Sequence, residues 1–221
     1  MTTPVQAAPG ADVGAGRRVL DVVVSLTALT VLVPVLVVVA AAVRCTSRGP
    51  VLFRQRRVGA GQQPFVLLKF RTMTVGDPGE PGGPQVTSAT DARVTGVGRV
   101  LRRTSLDELP QLWNVVRGQM TLVGPRPETI DLAARYPEHC RWVLDHVPGL
   151  TGPCQIRLRD ADCVPPGATD VEKYYLEVLV PQRVAVDATY LLSPSVRATL
   201  TVMAQTLGYL LGRRPSPAVS A

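Results

Sequence analysis

Residues 19–43 read VLDVVVSLTALTVLVPVLVVVAAAV, an almost wholly apolar run in which Asp21 is the only charge. A run of this length and purity marks a segment that interacts with a bilayer. As one helix it would extend about 37 Å, more than a hydrocarbon core of about 30 Å, so length permits a full crossing. A cleaved signal peptide calls for a shorter apolar run ending at small residues, and a buried soluble helix is the other alternative. Pro34 sits inside the run, where it removes a backbone hydrogen bond and its ring meets the carbonyl of Thr30, which predicts a bend. Arg17 and Arg18 precede the segment, and Arg44 and Arg48 follow it. Basic flanks favour the cytoplasmic side, so both ends are biased to one face, as in a helix that enters, turns at Pro34 and leaves where it came in. A kinked spanning helix remains the alternative at this point.

Working outward, residues 1–16 are rich in Ala, Gly and Pro with no apolar period and read as a disordered leader; 213–221 read as a disordered tail. The stretch TVGDPGEPGGPQVTSAT, 74–90, interrupts patterned sequence and reads as a flexible loop. Residues 49–71, GPVLFRQRRVGAGQQPFVLLKFR, alternate around a turn signal at Gly59 to Gly61, which predicts a hairpin of two short strands. No acidic residue lies between Asp21 and Asp77, so Arg44, Arg48, Arg54, Arg56, Arg57, Lys69 and Arg71 form an unneutralised basic region suited to headgroups or a diphosphate. A solvated basic face is the plainer alternative. The expected division is leader 1–16, membrane segment 17–48, one further domain 49–212 and tail 213–221.

The whole chain has 221 residues, 46% of them hydrophobic, enough for one domain with a core plus an accessory segment. Its formal charge of +7 favours an anionic partner without choosing among nucleic acid, headgroups and phosphorylated substrates. Cys45, Cys140, Cys154 and Cys163 lack zinc-site or disulfide-framework spacing and read as buried or incidental thiols. His139 and His146 read as surface residues of a helix, so acid–base chemistry falls to carboxylates.

Residues 91–128, DARVTGVGRVLRRTSLDELPQLWNVVRGQMTLVGPRPE, set one adjacent carboxylate pair, Asp107 and Glu108, among Arg93, Arg99, Arg102, Arg103, Arg117 and Arg126. Phosphoryl transfer needs a nucleophile, in-line positioning and cations that neutralise oxygen charge, and this segment holds those parts. Ser105-Leu-Asp-Glu108 also matches a capping box, but Pro110 would then be the fifth helical residue and cost a hydrogen bond. Asp107 as the N-cap places Pro110 harmlessly in the first turn. A purely structural cap and a carboxylate kept ionised at a helix N-terminus are both compatible with that spacing.

Arg93-Val-Thr, Gly98-Arg99, Thr104-Ser-Leu-Asp-Glu-Leu-Pro-Gln-Leu-Trp-Asn-Val116 and Leu122-Val-Gly-Pro-Arg-Pro127 resemble the bacterial sugar transferase family, the monotopic phosphoglycosyl transferases. Supporting blocks are Gly49-Pro-Val-Leu-Phe-Arg-Gln-Arg56, Lys69-Phe-Arg-Thr-Met73 and Pro148-Gly-Leu-Thr-Gly152 followed by Gln155, so the resemblance runs from about Arg17 to Leu211. It implies transfer of a hexose-1-phosphate from a UDP-sugar to undecaprenyl phosphate at the cytoplasmic face of the bacterial inner membrane, with UMP released. By carry-over Asp107 is the nucleophile and forms a covalent phosphosugar. Asp107 and Glu108 would hold Mg²⁺, and Lys69, Arg71, Arg93, Arg99, Arg126, Gln155 and Asp187 would bind substrate.

The resemblance also favours the re-entrant helix, although the family's Ser-Pro break is Val33-Pro34 here. Asp187, Tyr190 and Ser195 keep the family spacing, while Thr199 stands where an aspartate is usual. The 16-residue leader leaves no room for the extra membrane helices that many members carry, so the expectation is a minimal form with one anchor and one catalytic domain. The expected fold is mixed α/β but mainly helical, with a small β-hairpin and amphipathic helices at Ser195–Leu211 and around Asp107–Arg117 lying on the bilayer. The expected partners are the donor, the acceptor and lipid, not nucleic acid; a homo-oligomer is left open. The competing classes are a basic membrane-tethered binding module without turnover and an inactive or regulatory family member. Polyanion binding gains nothing from an acidic pair set in a basic stretch.

Overall fold

The computed structural model describes residues 13–74, 93–158 and 170–212. Most of the expected leader, nearly all of the expected loop 74–90 and the tail lie outside the described residues. Helix starts earlier than the leader boundary implied, at Ala15.

The apolar run forms two helices, α1 (Ala15–Val31) and α2 (Val33–Thr46), bent by 64° across Leu32. Pro34 lies in the first turn of α2, where its missing N–H costs nothing. On the other side of the break, the Thr30 hydroxyl donates to the Leu26 carbonyl at 2.9 Å. The bend divides the length estimated from sequence. At 1.5 Å per residue the two arms reach about 25 and about 21 Å, each short of a hydrocarbon core. Among the described residues no single helix is long and apolar enough to cross a membrane.

Nor is the run apolar on all sides. Asp21 and Ser25 are buried on α1, and Val24, Ala28 and Leu29 pack against the main core. The carboxylate of Asp21 accepts from the Thr121 hydroxyl at 2.7 Å and from the Leu122 N–H at 3.1 Å. Arg17 and Arg18, expected as basic flanks of a membrane segment, instead reach into the domain. Arg18 donates to the carbonyls of Val115 and Val116 at 2.6 and 2.8 Å, adding side-chain donors at a helix C-terminus. Arg17 donates to the Val123 carbonyl at 3.1 Å and lies over the Tyr190 ring.

The expected hairpin is present as β1 (Leu52–Val58) and β2 (Pro64–Phe70), antiparallel, with Val58 opposite Pro64. Its connection takes positive φ at Gly61 and Gln62, 57° and 63°. Next come α3 (Gly96–Thr104), a 3-10 turn (Leu106–Glu108), α4 (Gln111–Val116) and β3 (Thr121–Val123). Then follow α5 (Ile130–Ala134), a 3-10 segment (Glu138–Asp145), β4 (Gly149–Thr151) and α6 (Pro153–Arg157). Finally α7 (Val171–Tyr174) passes through a π turn (Tyr175–Leu179) into α8 (Val180–Leu191), and α9 (Val196–Leu210) closes the described chain. The architecture is mixed α/β and mainly helical, as the sequence predicts.

The parallel pair of β3 and β4 was not anticipated. It depends on close backbone approach: a Cβ on Gly149 would lie 2.1 Å from the Gly124 nitrogen, and one on Gly152 would lie 2.4 Å from the Gly124 carbonyl oxygen. Two glycine-containing blocks that are far apart in sequence are thereby locked together. One core runs through β1, β2, α4, β3, α8 and α9, and a smaller one joins Val39 and Val43 of α2 to Phe70 and Leu101. α9 forms where an amphipathic helix was expected, capped by the Ser195 hydroxyl, with Val196, Leu200, Leu207 and Leu210 exposed.

The grip on α1 predicts a stability effect. Asp21→Ala strands the Thr121 hydroxyl and the Leu122 N–H in the core and should cost about 3 kcal/mol in a reversible unfolding titration in detergent. Val23→Ala, on the exposed side of α1, should stay within about 0.5 kcal/mol of the parent.

Candidate active site

The site is assembled by three elements around the 3-10 turn. α3 is capped by Thr95, whose hydroxyl accepts from the Gly98 N–H at 2.9 Å. Gly98 lets the helix lie directly on Thr72, since a Cβ there would come within 2.0 Å of the Thr72 carbonyl oxygen. That contact delivers Arg102, whose Nε donates to the Thr72 hydroxyl at 2.9 Å. β2 delivers Lys69, half-buried, with Nζ over the Phe53 ring at 5.0 Å. The Gly124-Pro-Arg-Pro127 turn after β3 delivers Arg126.

α3 ends at Ser105 in the left-handed region, φ 59°, and the chain enters the turn that carries Asp107 and Glu108. Helix α4 begins only after Pro110, so Asp107 is not the N-cap that the spacing suggested. The left-handed Ser105 separates α3 from the turn, and the N-cap falls on Pro110, with the helix starting at Gln111. Asp107 is 7% exposed, while Glu108 is half-buried. Burial, and then the neighbouring Glu108, push the Asp107 carboxyl up to about 6; Lys69 and Arg102 pull against that rise. Its ionised form is thus not maintained by a helix N-terminus, as expected from sequence, but by two cations. Burial, reinforced by Arg57, brings Lys69 down to about 8. Near neutral pH both groups carry charge.

Of the residues singled out from sequence, the structure brings Asp107, Glu108, Lys69 and Arg126 into one electrostatic cluster. Arg71 does a different job. It is 4% exposed, and its guanidinium donates to the Ser47 carbonyl at 2.6 Å, the Ser47 hydroxyl at 2.9 Å and the Pro50 carbonyl, tying the end of α2 to the hairpin. Arg93 and Arg99 are exposed, and the cations that act most on Asp107 are Lys69 and Arg102 instead. Gln155 packs beside Gly152, with its buried Oε1 lacking a hydrogen bond.

Asp187, buried on α8, accepts from the Cys154 N–H at 2.9 Å, and burial pushes its carboxyl up to about 6. It lines a small cavity, about 30 Å³, with Arg126, Glu128, Arg183 and His146. His146 is therefore a half-buried cavity residue following the 3-10 segment, whereas His139 is exposed as expected. Cys140 and Cys154 are buried free thiols; Cys45 is exposed, and Cys163 lies outside the described residues. Thr199, at the position where the resemblance would put an aspartate, is fully buried, donates to the Ser195 carbonyl at 2.8 Å and bonds the Tyr190 hydroxyl at 2.7 Å.

Sequence reasoning missed part of the cluster. Arg57, taken as part of an unneutralised basic face, lies 3.6 Å from Glu128, a buried carboxylate supplied from seventy residues on. Arg102 was visible only as one of several arginines. Glu128 directly follows the Pro-Arg-Pro turn, a signal available in the sequence; Tyr175 and Arg183 carried none.

Among the described residues no three or more His, Cys, Asp or Glu side chains gather into a metal cage. The Asp107 and Glu108 pair suits a hard cation that takes one or two carboxylates and completes its shell with water and substrate phosphate, the usual habit of Mg²⁺.

A family model, the bacterial sugar transferase, matches residues 13–213. The chain belongs to the bacterial sugar transferase family. It is 41% identical over 210 residues to the UDP-glucose:undecaprenyl-phosphate glucose-1-phosphate transferase of Caulobacter vibrioides, covering 92% of this chain and 72% of that one. It is 35% identical over 207 residues to the exopolysaccharide production protein ExoY of Sinorhizobium fredii, covering 88% and 84%. A UDP-glucose:undecaprenyl-phosphate glucose-1-phosphate transferase of Klebsiella pneumoniae is 46% identical over 145 residues, 63% of this chain but 30% of that longer protein. These matches bear out the expectation of an enzyme of the phosphoglycosyl transferase class. They speak against a binding module without turnover.

The electrostatics of this bacterial sugar transferase yield a direct check. In ligand-free protein with carbon-13-labelled aspartate, the resonance that disappears in Asp107→Asn should titrate near pH 6. Lys69→Met removes a cation that favours the charged form, so the midpoint should move up by about half a unit or more.

Proposed function

We propose that this enzyme transfers a hexose-1-phosphate from a UDP-sugar to undecaprenyl phosphate through a covalent intermediate on Asp107. The observation that carries the proposal is a buried carboxylate, 7% exposed, facing Lys69 and Arg102 beside Glu108. In the first step an Asp107 carboxylate oxygen forms a bond to the sugar-linked phosphorus. The phosphoanhydride bond breaks as UMP leaves with the electron pair. In the second step an oxygen of undecaprenyl phosphate attacks the same phosphorus and the Asp107 carboxylate is released. Lys69, Arg102 and Arg126 offset the charge on the phosphoryl oxygens, and burial excludes water that would hydrolyse the intermediate. Mg²⁺ bound at Asp107 and Glu108 would supply further charge neutralisation on the diphosphate. The relatives named for glucose make UDP-glucose the first donor to test, and a relative from Aeromonas hydrophila named for N-acetylgalactosamine supplies the comparison.

Asp107→Asn should abolish UMP release from the donor. Mass spectrometry of the parent enzyme mixed with donor alone should show a phosphohexose adduct on the peptide containing Asp107, and EDTA should suppress its formation until Mg²⁺ is restored. Full activity of the Asn variant would reject the nucleophile; indifference to chelation would leave Glu108 a structural role.

For the membrane segment we propose a re-entrant arrangement at the inner membrane with the catalytic domain on the cytoplasmic side. It is supported by the 64° bend and by the anchoring of both arms to the same domain, α1 through Asp21 and α2 through Val39 and Val43. Single cysteines near residue 10 and residue 48, in a background without native thiols, should both resist an impermeant thiol reagent on intact spheroplasts and both label after lysis. Labelling near residue 10 from outside would show a spanning helix.

A further inference from the structure

Beside the Asp107 turn lies a second polar cluster, centred on a buried carboxylate. Glu128 is 4% exposed, and its Oε2 accepts from the hydroxyls of Tyr136, at 3.0 Å, and Tyr175. Its Oε1 accepts from the Thr129 N–H at 3.0 Å and faces Arg57 at 3.6 Å. Arg183 Nη1 in turn donates to the Tyr175 hydroxyl at 2.6 Å. A guanidinium has no acceptor, so the single Tyr175 proton must point to Glu128 and its lone pair to Arg183. Burial, with the nearby Glu128 charge, raises the pKa of both tyrosine hydroxyls, so they remain donors.

A buried carboxylate that served the fold alone would be satisfied by two tyrosines, a backbone N–H and Arg57. Nothing in that role calls for Arg183, which is only partly buried, stacks on the Tyr175 ring at 4.9 Å and lines the cavity alongside Arg126. The charges argue the same way. Lys69, Arg57, Arg102, Arg126 and Arg183 gather with Asp107, Glu108, Glu128 and Asp187, leaving cations in excess, the sign that suits a diphosphate. Arg126 and Arg183 line the same cavity, and a pair of guanidinium groups is suited to phosphoryl oxygens.

We propose that Arg183 is a further substrate-binding residue, contacting the donor's diphosphate together with Arg126, and that Glu128 and Tyr175 are positioning residues that aim it. This rests on the nucleotide-sugar reading above and extends it to a residue outside the motif segment. Tyr175 fixes where the guanidinium sits, and Glu128 keeps the Tyr175 proton out of its way. Arg183 then meets phosphate without first reorienting, which conserves affinity that a loose side chain would lose on binding.

The test is direct binding of UDP and UMP to full-length protein by calorimetry, together with steady-state kinetics. Arg183→Gln should weaken UDP about tenfold and UMP less, and Arg183→Lys should recover only part of the loss, a point charge replacing a planar fork. Tyr175→Phe keeps the ring in the core and should raise donor KM several-fold with acceptor KM unchanged. Adding Arg183→Gln to Tyr175→Phe should give no more loss than Arg183→Gln alone, the signature of a shared pathway. Unchanged UDP affinity in Arg183→Gln would overturn the proposal. So would a Tyr175→Phe defect confined to the fraction of active enzyme, because a merely structural hydroxyl would leave KM alone. If the parent protein binds no UDP, the nucleotide-sugar reading falls and this proposal with it, a result distinct from parent binding that Arg183→Gln leaves untouched.

Discussion

Everything in the molecule hangs on the carboxylate of Asp21 being spent inside the protein. A charge in an otherwise apolar helix must be buried against donors or left facing lipid, and here it accepts from Thr121 and Leu122 at the edge of β3. That choice orients α1. It places Val24, Ala28 and Leu29 in the core, leaves Val19, Val23, Leu26 and Val31 outward, and brings Arg17 and Arg18 to the carbonyl ends of β3 and α4. Since β3 leads directly into the Pro-Arg-Pro turn, the element that holds α1 also places Arg126. The apolar helix and the site share one scaffold.

The second constraint is electrostatic. A carboxylate as buried as Asp107 pays for dehydration, and a like charge next to it adds to the cost, so its carboxyl rises to about 6. Lys69 and Arg102 keep it charged near neutrality, and Arg102 is in place because α3 meets the chain at Thr72, just past the end of β2. The glycine at position 98 permits that meeting. A nucleophile of modest basicity in a dry, cationic setting suits attack on phosphorus better than a solvated aspartate of ordinary pKa, whose charge would be quenched by water.

Much of this was legible in the chain. The apolar run, Pro34 and the strand alternation around Gly59 to Gly61 carry local signals, and each led to the right element; the Asp107-Glu108 pair is equally visible, in a stretch dense with arginines. What failed were inferences about partners. Arg57 and Arg71 read as part of a basic face because no acid lies near them in sequence, and Arg17 and Arg18 read as flanks of a membrane segment, yet Arg57 faces Glu128, Arg71 holds Ser47 and Pro50, and Arg17 and Arg18 cap backbone carbonyls. Local spacing also favoured an N-cap at Asp107; a left-handed Ser105 and a later helix start overrode it. The pairing of β3 with β4 rests on three glycines that look like turn signals until their backbones are seen in contact.

The central claim is that phosphorus is attacked twice, first by Asp107 and then by the polyprenyl phosphate. Each in-line displacement inverts the phosphorus centre. A donor whose sugar-linked phosphorus is made chiral by sulfur and oxygen-isotope substitution reports the count directly, through phosphorus NMR of the lipid-linked product. Two displacements predict net retention of configuration. Net inversion would mean a single direct transfer from donor to acceptor and would contradict the account.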